Sequence, residues 1–330
     1  MAENDDVSVS TDPRCWDLLE MFPLRRVGFF HGVWDDETKT CDVTRITEED
    51  LPVLNAGRLE VPLSVRDLSL STVSYGNCFP NKALFFKTAV ENGFLDFEDV
   101  DVIAPSGVIA DIVNCMWSTA QLNVTVKRGN ICGKRVLALR STIPYPIANR
   151  IQSFGSVFEE YMSSKETLPY DFHETQDHNY VISELSLGNL KVLMRNQVDA
   201  YDANSQNLVE IKCAEHIIEA ARGYTMNTIR KAYLSTVDQL VLSGVKPKDV
   251  ENLGDFEYEV FPRMYDVNEE LRSDFNLGKG LQLTWMVCKN LVELFEKHPD
   301  VDTILCQKKY NCREIFFEGY SDNLLVFSTE

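Results

Sequence analysis

Asp199, Glu210 and Lys212 are the residues whose types and spacing best suit chemistry. Two carboxylates can hold a hard divalent cation through oxygen, and an ammonium group beside them can meet an attacking water and the negative charge that develops on a phosphate. Hydrolysis of a phosphodiester needs both. The stretch that carries them has two β-rich runs, Leu190–Tyr201 and Asn207–Cys213, around the turn-prone Asp202-Ala203-Asn204-Ser205-Gln206, and is expected to form an antiparallel hairpin. Period-two alternation then puts Gln197 and Asp199 on one face of the first strand, and Glu210 and Lys212 on one face of the second. The same residues would also suit an ordinary solvated hairpin face, because Glu-x-Lys tripeptides are common.

The rest of the chain must position that hairpin. Val27–Trp34 reads as an early strand, followed by the polar stretch Asp35–Asp50, and Asn81–Gly93 as a short helix. Asp101–Trp117 reads as a strand feeding a helix that begins near Ser106, an N-cap residue type. Leu122–Leu139 is expected to be two strands around Arg128-Gly129-Asn130, and Ile151–Met162 a helix with Phe154, Phe158 and Met162 on one stripe. Asn179–Leu187 is a further strand broken at Gly188-Asn189. Glu215–Gly223 and Thr225–Ser243 read as helical, Phe256–Pro262 as a strand, and Gly280–Lys297 as an amphipathic helix stopped by His298-Pro299; an apolar run, Leu324–Phe327, comes last. With an acidic leader at 1–11 expected to be disordered, residues 12–330 read as a single α/β (α+β) domain with central mixed sheets flanked by helices.

Composition limits the partners. The formal charge of −19, from 51 acidic and 32 basic residues, argues against a nonspecific nucleic-acid binder, so any RNA contact is local. The nine cysteines lack C-x-x-C spacing and paired histidines, which indicates buried thiols rather than a disulfide framework or zinc. No membrane span or signal peptide is evident, nor a basic nuclear address, so an intracellular protein of nucleus or cytoplasm is expected. His173 and His178 read as a surface loop, Cys213 as a core thiol, Gly278-Lys279-Gly280 as a turn leading into a helix, and Phe316-Phe317 and Trp285 as core.

Asp199 followed by Glu210-x-Lys212 resembles the active-site hairpin of PD-(D/E)xK nucleases. Further motifs stand in order with it: Gly155-Ser156-Val157-Phe158-Glu159, then Gln197-Val198-Asp199 with Gly188 nine residues before Gln197, then Glu210-Ile211-Lys212, and Gln239 five residues before Gly244-Val245. Together they resemble the eukaryotic DXO family of RNA decapping and 5′–3′ exoribonuclease enzymes. The resemblance implies Mg²⁺ or Mn²⁺ held by Glu159, Asp199 and Glu210, with the Ile211 carbonyl near the metal. It implies Lys212 and Gln239 beside the scissile phosphate, and an RNA 5′ end, capped or phosphorylated, as substrate. A 5′–3′ exoribonuclease is the implied protein partner.

Three departures bear on activity. Gln197 stands where the family has a glutamate, which weakens the metal site by one charge. Ser106 and Asp111, in the Ser106-Gly107 segment, stand where the family has an arginine and a lysine that meet the substrate's phosphates. Thr236 and Val237 replace bulky rings before Gln239. Two readings stay open: a working hydrolase of RNA 5′ ends, and an inactive member that binds RNA or nucleotide or regulates a partner.

Overall fold

The computed structural model of this chain describes residues 19–35, 37–59, 63–66, 82–117, 120–142, 158–159, 161–163, 177–214, 222–247, 257–272, 274, 276–320 and 325–328. In order, the strands are β1 (Leu24–Asp35), β2 (Thr40–Ile46), β3 (Leu63–Arg66), β4 (Val102–Pro105), β5 (Leu122–Ile131), β6 (Lys134–Ser141), β7 (Asp177–Leu187) and β8 (Leu190–Gln197), then β9 (Ala200–Asp202), β10 (Asn207–Ala214), β11 (Gln239–Pro247), β12 (Glu257–Asp266), β13 (Thr303–Lys308), β14 (Phe316–Tyr320) and β15 (Leu325–Ser328). The longer helices are α1 (Lys82–Glu91), α2 (Ser106–Asn114), α3 (Arg222–Leu234), α4 (Val267–Leu271) and α5 (Leu277–Lys297).

Among the described residues these strands build two mixed sheets. The larger has ten strands in the order β15-β14-β13-β5-β6-β4-β8-β7-β1-β2, and the smaller has five in the order β3-β12-β11-β10-β9. Parallel pairing occurs where β4 lies between β6 and β8, and where β10 meets β11. The main core fills the space between the sheets and helices: Ile109, Ile112 and Val113 of α2 meet Leu281, Cys288 and Leu291 of α5, Ile229 of α3 and Leu240 of β11. Contact between α2 and α5 depends on Gly280, where a Cβ would stand 2.5 Å from Val113 Cγ1 and 2.7 Å from the Val113 carbonyl oxygen. A second cluster, around Phe30, Phe85, Phe86 and Tyr180, packs α1 against the far face of the large sheet.

Several expectations change. Leu190–Tyr201 is not one strand. β8 ends at Gln197, paired with Tyr180 in the large sheet, and β9 begins at Ala200 in the small sheet, paired with β10. The chain crosses between sheets at Val198 and Asp199, with Val198 buried in the main core and Ala200 in the core under the small sheet. Continuous burial hides such a crossing, because Val192–Asn196 is buried on both faces of β8 and the chain stays buried from Val198 to Ala200.

Arg128-Gly129-Asn130 lies inside β5, and the turn is Cys132-Gly133, both at positive φ (50° and 87°), as a two-residue hairpin requires. Thr225–Ser243 is not one helix: α3 stops at Leu234, Thr236 takes a left-handed φ of 56°, and β11 runs from Gln239. The run Leu240-Val241-Leu242 is wholly buried beside β10, and that burial overrides the helical spacing. The polar stretch after β1 contains β2, an edge strand. Pro105, not Ser106, is the N-cap of α2, and Gly278-Lys279-Gly280 lies within the first turn of α5. The leader at 1–11, Gly155, His173 and most of the Glu215–Gly223 stretch lie outside the described residues.

Candidate active site

The site forms where β9, β10, α3 and the helical residues around Glu159 meet. Phe158 and Met162 anchor that helical segment by packing with Leu54, Ala200, Val209, Ile211 and Val241, so Glu159 faces the end of β10. The Met162 carbonyl accepts from the Asn55 N–H at 2.8 Å, which ties the segment to the strand-like residues beside β9. Between β9 and β10 the Asp202 carboxylate accepts from the Asn204 N–H at 3.0 Å and the Ser205 hydroxyl at 2.6 Å, closing the turn that sets their register.

Four oxygens converge on the Lys212 ammonium. Nζ donates to Glu159 Oε1, Asp199 Oδ2 and the Ile211 carbonyl, each at 2.8 Å, and lies 3.3 Å from Glu210 Oε1. Asp199 Oδ2 also accepts the Ile211 N–H at 2.8 Å. Asp199 and Glu210 are buried, whereas Glu159 and Lys212 are partly exposed. The proposed metal ligands are thus brought together, Gln197 aside, around a cation that the chain itself supplies.

The electrostatics follow from this geometry. Burial, reinforced by the neighbouring Glu159 charge, pushes the Asp199 carboxyl up to about 8. Burial alone would raise Glu210 as well, but the Lys212 and Lys231 ammonium groups outweigh it and hold that carboxyl down at about 2. Lys212 stays protonated, because the surrounding carboxylates overcome its own desolvation.

As they stand, no three His, Cys, Asp or Glu side chains among the described residues are grouped to hold a metal, since Lys212 fills the space between them. The donor set itself suits one. Carboxylate and carbonyl oxygens are the ligands a hard divalent cation takes, and the 2.8–3.3 Å contacts to Nζ would have to shorten to about 2.0–2.6 Å after Lys212 swings out.

The other sequence candidates fall differently. Gln197 is half-buried at the end of β8, and no described contact joins it to the Lys212 cluster. Gln239 opens β11 with its Oε1 buried and unpartnered, also outside those contacts. Ser106 is spent on structure: its N–H donates to Asn196 Oδ1 at 3.0 Å and its hydroxyl pairs with Ser235 Oγ at 2.9 Å. Cys213 packs beneath the small sheet, where burial pushes its thiol up to about 12.

The residue missed in the sequence is Lys231 on α3, whose Nζ donates to Glu210 Oε1 at 3.0 Å and whose Cε lies 4.0 Å from where a Gly107 Cβ would stand. A spacing signal was present. Lys231 precedes Thr236-Val237 by the interval that separates Gln239 from Gly244-Val245, and Thr236 holds the positive φ that a glycine adopts easily, whereas Gly244 lies in the regular pairing of β11 with β12.

No family model and no curated protein sequence matches this chain. Solved structures do. Rai1 of S. pombe, in complex with 3′-FADP, is 12% identical over 93% of this chain and 95% of its own, with a TM-score of 0.57. Dxo1 of K. lactis, in complex with manganese, is 12% identical over 90% of this chain and 89% of its own, with a TM-score of 0.58. Rai1 of Candida albicans, in complex with pU5 and Mn²⁺, is 12% identical over 94% of this chain and 90% of its own, with a TM-score of 0.56. Over nearly its whole length, then, the chain has the fold of the Rai1 and Dxo1 proteins, the fold that the order of its motifs implies.

Proposed function

We propose that this chain is a metal-dependent hydrolase of RNA 5′ ends, removing a cap, an NAD cap or 5′ phosphates and trimming in the 5′–3′ direction. The observation that carries the reading is the convergence of Glu159, Asp199, Glu210 and the Ile211 carbonyl on one cation position. The fold neighbours support it through what they hold: 3′-FADP on S. pombe Rai1, manganese on K. lactis Dxo1, and pU5 with Mn²⁺ on Candida albicans Rai1.

Glu159, Asp199 and Glu210 would hold Mg²⁺ or Mn²⁺, with the Ile211 carbonyl as a further donor. A bound divalent cation supplies Lewis acidity and lowers the pKa of water in its shell. Lys212, released from the carboxylates, then faces the substrate phosphate. As the water oxygen bonds to phosphorus and the P–O bond to the leaving group breaks, its ammonium meets the negative charge that grows on the phosphoryl oxygens. The resemblance also assigns Gln239 and Gly107 to substrate contact and a 5′–3′ exoribonuclease as partner; co-purification with that partner tests the last.

Two observations favour the second reading, an inactive RNA- or nucleotide-binding or regulatory protein. The carboxylates are already satisfied by two lysines, and Asp111 stands in the segment where the family's lysine meets substrate. Incubating capped, NAD-capped, triphosphorylated and monophosphorylated RNA with Mg²⁺ or Mn²⁺ separates the two. Products above a Glu210→Ala blank support hydrolysis, and their absence on all four substrates leaves the binding reading.

A further inference from the structure

Glu210 Oε1 is shared by two ammonium groups, Lys231 Nζ at 3.0 Å and Lys212 Nζ at 3.3 Å. Their situations differ. Lys212 is spread over three carboxylates and a carbonyl, whereas Glu210 is the one carboxylate within ion-pair distance of Lys231 among the described residues. The Lys231 side chain is 39% exposed against 4% for Glu210, so its ammonium stands at the mouth of the site above a buried anion.

Two features hold it there. Next to it on α3, Arg230 makes a buried bidentate pair with Asp274, at 2.6 and 2.9 Å, and donates to Asn114 Oδ1 at 2.6 Å, which fixes α3 against the end of α2. At the other end of α2, Gly107 leaves open the space beside the Lys231 methylenes, and the α2 amino terminus lies beside the lysine stem. A Lys212 that swings out leaves Lys231 in place, because Lys231 is carried by α3, pairs with Glu210 and has Asp111 of α2 beside it, none of which depends on Lys212. A second metal ion on Glu210 would meet that fixed positive charge one ligand away.

We propose that Lys231 is a built-in second cation: the site takes one divalent ion among Glu159, Asp199 and Glu210, and the Lys231 ammonium binds a phosphate oxygen of the substrate. The substrate class rests on the hydrolase reading above; the position of the second positive charge rests on the geometry of α3. Removing Lys231 should therefore act in opposite directions on the two ligands. Glu210 loses a competing cation and holds metal more tightly, while a nucleic-acid phosphate loses its ammonium partner.

The test measures Mn²⁺ binding by the electron paramagnetic resonance of free ion, and binding of 5′-phosphorylated pentauridylate in Ca²⁺ across a salt series. Wild-type protein is expected to take one Mn²⁺. Lys231→Ala should bind Mn²⁺ several-fold more tightly and the oligonucleotide about tenfold more weakly, with a log–log salt slope smaller by about 0.7. Lys231→Arg should restore the slope, and Lys231→Gln serves if the alanine variant does not fold. Two Mn²⁺ ions on wild type, parallel weakening of both ligands, or no change in either overturns the proposal. Wild-type protein that binds neither ligand overturns it together with the hydrolase reading. Opposite shifts in a protein that hydrolyses nothing uphold Lys231 and sink hydrolysis alone.

Discussion

Asp199 is the residue whose chemistry depends most on its surroundings. Its carboxyl titrates near 8 in the folded chain against an ordinary value of 3.8, so the fold holds the proton more tightly than the unfolded chain does. The stability this contributes is complete below about pH 4 and is lost as pH rises through about 8. Thermal melts of cation-free protein should show Tm falling over that interval more steeply for wild type than for Asp199→Asn, and Mn²⁺ should raise wild-type Tm most at the alkaline end, where the carboxylate is free to bind it. Gln197 allows a complementary experiment. If it contributes to the metal site, Gln197→Glu adds a charged oxygen donor, and Mn²⁺ affinity by calorimetry should rise about tenfold; an unchanged affinity removes Gln197 from the site. Asp111 stands in contact with solvent yet is crowded enough that burial pushes its carboxyl up to about 6, against the pull of Lys231. Asp111→Asn takes a negative charge from beside Lys231, so oligonucleotide binding should strengthen a few-fold at pH 7.5 and change little at pH 5, where the acid is already neutral.

At the scale of elements, the close approach of α2 and α5 sets where Ser106 and Gly107 stand. Gly280→Ala illustrates two opposed effects. Alanine improves helix propensity by about 1 kcal/mol, but its Cβ would press on backbone at 2.7 Å from the Val113 carbonyl oxygen, and such overpacking costs about 1–3 kcal/mol. Backbone cannot rotate away as a side chain can, so the clash should win and chemical denaturation should show a net loss of up to about 2 kcal/mol. The elements most legible in the sequence were those with a single dominant period or a hard stop. These include α1, ended by Asn92-Gly93, α5, stopped by His298-Pro299, and β7, which ends at Leu187 just before Gly188, where φ is +61°. Less legible were junctions where one continuous pattern serves two elements. The crossing from β8 to β9 stays buried on both sides of the step, and the run from α3 into β11 keeps its apolar content, while the break between α3 and β11 is made by Thr236 in a backbone conformation that its sequence does not advertise.

For the whole molecule, the sequence carried the α/β class and the convergence of Asp199, Glu210 and Lys212, because strand pairing is local in the chain at β9 and β10. Lys231 could not be read with equal ease, since its contact with Glu210 depends on the parallel neighbour β11 and on α3 packing across from it. Charge explains the site's local character. In a chain of formal charge −19, even the two lysines beside Glu210 are matched by the carboxylates around them, so under the proposed function an RNA end would be held by the site once its ion is bound and not by the surface at large. Among the described residues no helix is long and apolar enough to cross a membrane. The most direct test of the central claim is Mn²⁺-dependent release of product from 5′-end-labelled RNA by wild-type protein, Glu210→Ala and Lys212→Ala side by side. The arrangement of three carboxylates around one cation position predicts product from wild type and a loss of at least about a hundredfold in each variant. Equal product from all three, or none from wild type at any 5′ end, would contradict it.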